Sequence, residues 1–153
     1  MKYIVAILLF ILVVAGVGAG AYLWYKNDQM QTKYGEVTVK GETFKVELAN
    51  TQEKRELGLG GRTFLADDEG MLFVFSASGF YPFWMKDMEM PIDIIWINDG
   101  LIADVAANVP APVEGEKLGN YYPVNPGNLV LEVNAGVIDR LSIKIGDPVQ
   151  VNY

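Results

Sequence analysis

The sequence predicts a mainly β, α+β protein: a small antiparallel, β-barrel-like domain with two short helices, preceded by one N-terminal transmembrane helix. Three observations carry this. Short apolar runs alternate with period two between tight-turn signals, only two stretches carry helix caps, and a long uncharged apolar run stands near the start. Of the 153 residues, roughly 120 lie beyond that run, enough for one domain to bury a core without disulfides or metals.

The N-terminal run, "YIVAILLFILVVAGVGAGAYLWY" (3–25), holds no charge, and as a helix it would span about 35 Å, enough for a bilayer core of about 30 Å. Lys2 precedes it, Tyr22, Trp24 and Tyr25 form an aromatic belt at its far end, and Asp28 soon follows Lys26, a bias that keeps the N-terminus inside. Residues 1–26 thus read as a membrane anchor, making the protein single-pass in the cytoplasmic membrane with its C-terminal domain outside. The competing reading is a cleaved signal peptide, for which Gly18 to Ala21 supply small residues; cleavage leaves a secreted domain. Continuation of the run through Leu23 and Trp24 favours the anchor, and the lack of cysteine excludes a lipoprotein.

A polar linker, "NDQMQTKY" (27–34), leads to the extracytoplasmic domain, 35–153. In "EVTVKGETFKVELA" (36–49), Val37 and Val39 alternate before Lys40-Gly41 and Phe44, Val46 and Leu48 after it, a hairpin pattern. Thr51 caps a short helix, "QEKRELGL", followed by a glycine-rich loop. Strands are expected at 70–75, 83–88, 92–97 and 101–109, the last two joined by Asn98-Asp99-Gly100, a strong tight-turn signal. Residues 110–128 carry four prolines and form a long irregular excursion, the sort of loop under which ligands are held. "LVLEVN" (129–134) resumes the sheet, Asn134 caps a helix through Leu141, and Gly146-Asp147 turns the chain into a terminal strand.

The formal charge is -7, and from Met30 onward 18 acids stand against 10 bases, which disfavours nucleic acid as a partner. With neither cysteine nor histidine, there is no thiolate nucleophile, no Cys/His zinc site and no histidine-based triad. No cofactor is implied, and no known catalytic constellation is legible. Asp67-Asp68-Glu69 lacks the alternating spacing of a calcium loop, and Gly58, Gly60 and Gly61 lack the lysine of a phosphate loop.

The chemistry-bearing stretch is "PFWMKDMEMPIDIIWIN" (82–98). On a regular strand Met85 and Met88 would point to opposite faces, so the methionines read as core rather than as a copper(I) site. Asp93 follows Pro91 at the start of a strand apolar on both faces, and it needs hydrogen-bond donors. Arg62 is the first candidate, with backbone amides as others, and a structural acid is favoured over a ligand-binding or catalytic one. Glu132 shares a face with Val130 and Asn134, opposite Leu129, Leu131 and Val133: a polar stripe that is solvated or lines a cleft. Tyr121 and Tyr122 in the long loop either stack on a sugar or peptide or pin the loop.

"GLGGRTFLADDEGMLFVF", "FWMKDMEMPIDIIWI" and "LVLEVNAGVIDRLSIKIGDPV" together resemble the domain of unknown function family numbered 192, also called uncharacterised protein family 0127. The resemblance covers about residues 36–153. It rests on Gly58 and Leu59, Arg62, Gly70 to Phe73, Trp84 to Lys86, Pro91 to Asp93, Leu131 and Glu132, and Ala135 and Gly136. It implies a mostly β, barrel-like fold and no established activity. Gly60 and Gly61 depart from the family's usual methionine and aromatic residue, Asp87 from its common asparagine and Ile92 from its leucine.

The resulting expectation is a membrane-anchored binding or envelope-associated module for a small-molecule, sugar or peptide ligand under residues 110–128. Arg62, Trp84, Lys86, Asp93, Tyr121, Tyr122 and Glu132 form its ligand-binding or structural cluster. The rivals are a hydrolase pairing Asp93 with Glu132 or Asp87, at the carboxylate spacing of glycosidases, and a structural partner of envelope proteins.

Overall fold

A computed structural model describes residues 14–23, 33–113, 115 and 117–153. The chain divides into two units, Met1–Thr32 and Lys33–Tyr153. In the first, residues 14–23 are helical (α1), and the rest of the run 3–25 lies outside the described residues. Among the described residues no helix is long and apolar enough to cross a membrane. Residues 27–32 of the expected linker also lie outside them, and Tyr34, its last residue, opens the first strand.

The second unit has nine strands among its described residues: β1 (Tyr34–Val39), β2 (Glu42–Ala49), β3 (Glu69–Gly79), β4 (Phe83–Trp84), β5 (Ile92–Asn98), β6 (Leu101–Val109), β7 (Asn120–Tyr121), β8 (Gly127–Asn134) and β9 (Val149–Asn152). Two short helices accompany them, α2 (Gln52–Leu57) and α3 (Val137–Leu141). Seven strands form one sheet in the order β6-β5-β8-β3-β2-β1-β9, while β4 and β7 pair separately. The hairpin turns fall where the sequence puts them. Lys40 and Gly41 (φ 52° and 81°) and Asp99 and Gly100 (φ 49° and 74°) adopt the left-handed conformation that matches the twist of paired strands.

One pairing departs from the antiparallel expectation. β2 and β3 run parallel, from Lys45 opposite Glu69 to Ala49 opposite Phe73, because the connection through α2 returns the chain to the end from which β2 began. α2 itself forms as its cap signal predicts, with Thr51 Oγ1 accepting from the Lys54 amide. The sheet curls until its two edges touch at one corner. Leu101 bridges to Pro148, the Ile102 amide donates to the Asp147 carbonyl at 2.9 Å, and the Val149 amide donates to the Gly100 carbonyl at 2.8 Å.

Apolar layers cover both faces of the sheet. One contains Phe44, Leu72, Ile95, Ile97, Leu131 and Val133 with Val137 and Ile138 of α3. The other contains Phe73, Ile92, Ile94, Trp96 and Val130, covered by Leu59, Leu65, Phe83 and three methionines. β5 contributes Ile95 and Ile97 to the first layer and Ile92, Ile94 and Trp96 to the second, so the strand is buried on both sides, as its sequence predicts.

The expected strand 83–88 is a correction. Only Phe83 and Trp84 pair, and the chain then turns at Lys86 and Asp87, where Asp87 adopts φ 57° and the Met88 amide donates to the Met85 carbonyl. The turn breaks the alternation, so Met85, Met88 and Met90 all enter the same buried layer instead of opposite faces. They pack among aromatic and aliphatic side chains, the role expected of them for a different reason.

Candidate functional site

Asp93 is fully buried on the face of β5 that carries Ile95 and Ile97. Its Oδ1 accepts the Asn108 amide and its Oδ2 the Ile138 amide, each at 2.7 Å. Ile138 lies in the first turn of α3, whose own cap position, Gly136, has no side chain to offer. Asp93 therefore caps that helix from the strand beside β8 while holding the end of β6. This overturns two expectations. Asn134 does not cap α3, because its amide group reaches the other way to the carbonyls of Leu65 and Ala66. Arg62 does not meet Asp93; it makes a bidentate pair with Glu47 at 2.6 and 2.8 Å. That pair holds the Glu47 carboxyl below its usual range and raises Arg62, but it is part-exposed, and such pairs add only about 0–1 kcal/mol.

Glu132 lies on the opposite face. It is opposite Met71 on β3 and Ile94 on β5, both in the methionine-rich layer. The neighbouring β3 residue, Gly70, lets the backbones approach closely, since a Cβ there would lie 2.7 Å from the Glu132 carbonyl oxygen. Glu132 is 4% exposed, its Oε2 has no hydrogen-bond partner, and burial pushes its carboxyl up to about 8. Of the two expectations for this polar stripe, solvated or lining a cleft, Glu132 follows the second: its side chain is buried and lines a cleft.

The cleft has a volume of about 220 Å³, with α2 and the segment 81–88 contributing to its lining. Phe73, Phe75, Tyr81, Phe83 and Trp84 line it, and so do Arg55 and Lys86. Phe75 stacks on Tyr81 with ring centroids 3.7 Å apart, and the Arg55 guanidinium lies 5.2 Å from the Phe75 centroid. Arg55 Nη1 also donates to the Val74 carbonyl at 3.1 Å, and Lys86 Nζ lies 5.6 Å from the Trp84 ring. Neither cation acts on the Glu132 carboxyl, whose upward shift has burial as its cause.

Of the residues singled out from sequence, Trp84, Lys86 and Glu132 come together in this cleft and the others do not. Tyr121 lines a separate hollow of about 170 Å³ under the long loop, with Met85, Pro110 and Leu118. Tyr122 is exposed, and Asp87 projects into solvent beside Lys86. The carboxylate pairs required for the hydrolase reading do not form, since Asp93 and Glu132 occupy opposite faces and Asp87 lies outside the cleft lining. Arg55, Phe75 and Tyr81 were not singled out from sequence. The aromatic density of "FSASGFYPFW" (75–84) hints at Phe75 and Tyr81, while nothing in the sequence hints at Arg55.

Fold and site define a β-rich α+β domain built on one curled mixed sheet with a buried, unpartnered acid beneath its outer covering. Residues 35–151 match the model of the family DUF192, described as uncharacterized ACR, and the chain belongs to that family. Among solved structures it is similar to a protein of unknown function from Novosphingobium aromaticivorans DSM 12444, with 35% identity and a TM-score of 0.69 over 78% of this chain and 85% of that one. A protein from Sinorhizobium meliloti 1021, described as a candidate transcription regulator, is 32% identical with a TM-score of 0.66 over 79% and 94% of the respective chains. A comparison with curated proteins finds no match.

Proposed function

We propose that the domain is a binding module that holds a small ligand in the cleft over Glu132, tethered outside the cytoplasmic membrane by the uncharged run 3–25. One observation supports the binding reading above the rest. A buried carboxyl with an oxygen that bonds to nothing costs stability, commonly about 1–3 kcal/mol, and a ligand that supplied the missing partner would relieve that cost. The aromatic lining supplies apolar contact and Lys86 and Arg55 supply charge, the mixture typical of small-molecule sites.

A thermal-shift screen of sugars, short peptides, small acids and small amines tests this. Compounds that stabilise the wild type are expected to lose their effect in Trp84→Ala and Glu132→Leu. A screen with no compound dependent on these residues would sink the binding reading. For the tether, the full-length protein is expected to stay in the membrane pellet through a high-salt wash. Recovery in the supernatant with a shortened N-terminus would replace the anchor with a signal peptide.

A further inference from the structure

We infer that the Glu132 cleft is built for a small single-ring carboxylate that carries a hydroxyl at its far end. The carboxylate meets Lys86 and Arg55, the ring lies against the aromatic lining, and the hydroxyl reaches the Glu132 carboxyl. The inference rests on the binding reading above and adds to it the chemistry of the ligand.

Size comes first. At about 220 Å³ the cleft falls below the roughly 300–1,000 Å³ of sites for drug-sized molecules, so it suits a ligand of about one ring. Lining is the second argument, since five aromatic side chains offer faces and edges against which a flat ring packs well.

Charge selects the sign of the ligand. The ionisable groups lining the cleft are Arg55, Glu56, Tyr81, Lys86 and Glu132. Glu56 accepts from Gln52 Nε2 at 2.8 Å, and burial keeps Glu132 protonated at neutral pH. Two cations thus stand against one anion, and the cleft attracts an anion. Arg55 commits Nη1 to the Val74 carbonyl, but a guanidinium carries five donors. The Lys86 side chain is half-exposed, with Asp87 Oδ2 at 4.0 Å, a long contact in a solvated position.

The buried acid selects the other end of the ligand. A second anion beside Glu132 would be buried without a cation to compensate it. A hydroxyl instead donates to one carboxyl oxygen or accepts the acid proton, and so satisfies Oε2 at no cost in charge. An ammonium group there would add a third cation to the cleft and require the acid to ionise.

Calorimetric titration at neutral pH with three matched probes tests the assignment: para-hydroxyphenylacetate, phenylacetate and tyramine. The first is expected to bind about five- to tenfold more tightly than the second, the value of one hydrogen bond, and tyramine to bind most weakly. Lys86→Met is expected to weaken both carboxylates. Glu132→Gln, which keeps a donor and an acceptor, should retain the preference for the hydroxyl, and Glu132→Leu should erase it. Circular dichroism verifies that the variants are folded.

Equal affinity for the two carboxylates overturns the hydroxyl contact. Tyramine binding most tightly, with affinity rising as pH approaches 8, overturns the sign of the ligand but leaves a cleft that binds. Failure of all three probes overturns the inference, while the wider screen above still decides the binding reading.

Discussion

Asp93→Ala is expected to lower the melting temperature by about 10–20 °C. Asp93 is fully buried and accepts two backbone amides, those of Asn108 and Ile138, at 2.7 Å each. Its removal strands both donors, at about 1–3 kcal/mol apiece, and leaves a void beside Val137 and Ile138. Asp93→Asn separates charge from shape. The amide retains one acceptor oxygen but turns an N–H2 group toward a backbone N–H, so it too is expected to lose stability. Thermal unfolding followed by circular dichroism checks both. A fall of less than about 3 °C in Asp93→Ala would show that water or a shifted loop satisfies the two amides, and the structural role would fail.

Glu132 has an equally large expected effect, in the direction of stabilisation. Its carboxyl titrates at about 8 in the folded protein against 4.5 ordinarily, so between those values the folded state holds a proton that the unfolded chain has released. The associated stability is present in full below pH 4.5 and is lost as pH rises to about 8, at about 1.4 kcal/mol per pH unit. Glu132→Gln removes that slope. Its advantage over the wild type is therefore expected to grow through this window to a few kcal/mol and then level off. Urea unfolding of both proteins at several pH values gives the comparison, and parallel profiles would mean that the carboxyl is solvated in the folded state. Glu132→Gln should thus gain stability while keeping the hydroxyl contact, whereas Glu132→Leu should lose that contact.

Much of the fold was legible because period-two runs and left-handed turn residues act locally. Lys40-Gly41 and Asp99-Gly100 place their hairpins, and β5 shows its two-sided burial in "IDIIWI". The parallel pairing of β2 with β3 was not legible, since direction depends on where a long connection lands. Neither was the turn at Lys86 and Asp87, where an acidic residue takes φ 57° without a glycine to announce it.

The site was half legible. Trp84, Lys86 and Glu132 were singled out by residue type, and the alternation of β8 already separated Glu132 from Leu131 and Val133. The partner of Asp93 could not be read, because a backbone amide has no letter of its own. Of the donors the sequence offers, Arg62 is not the partner and backbone amides are, but which amides they are, 15 and 45 residues away, has no signal in the sequence. The membership of Arg55 and Phe75 arises from packing between α2 and the end of β3, contacts with no periodic signal.

The pairing of β9 with β1 bears on when this domain can mature during synthesis. Val39 faces Val149, 110 positions later, and β9 also joins the corner where the sheet edges meet. A chain synthesised only as far as β8 can form the β1–β2 and β5–β6 hairpins but cannot seal that corner. Until β9 arrives, β1 presents an unpaired edge, the feature that invites wrong partners. Completion of the fold is thus a step of high contact order, and removal of β9 (Val149–Asn152) should yield an aggregation-prone chain rather than a slightly weakened one.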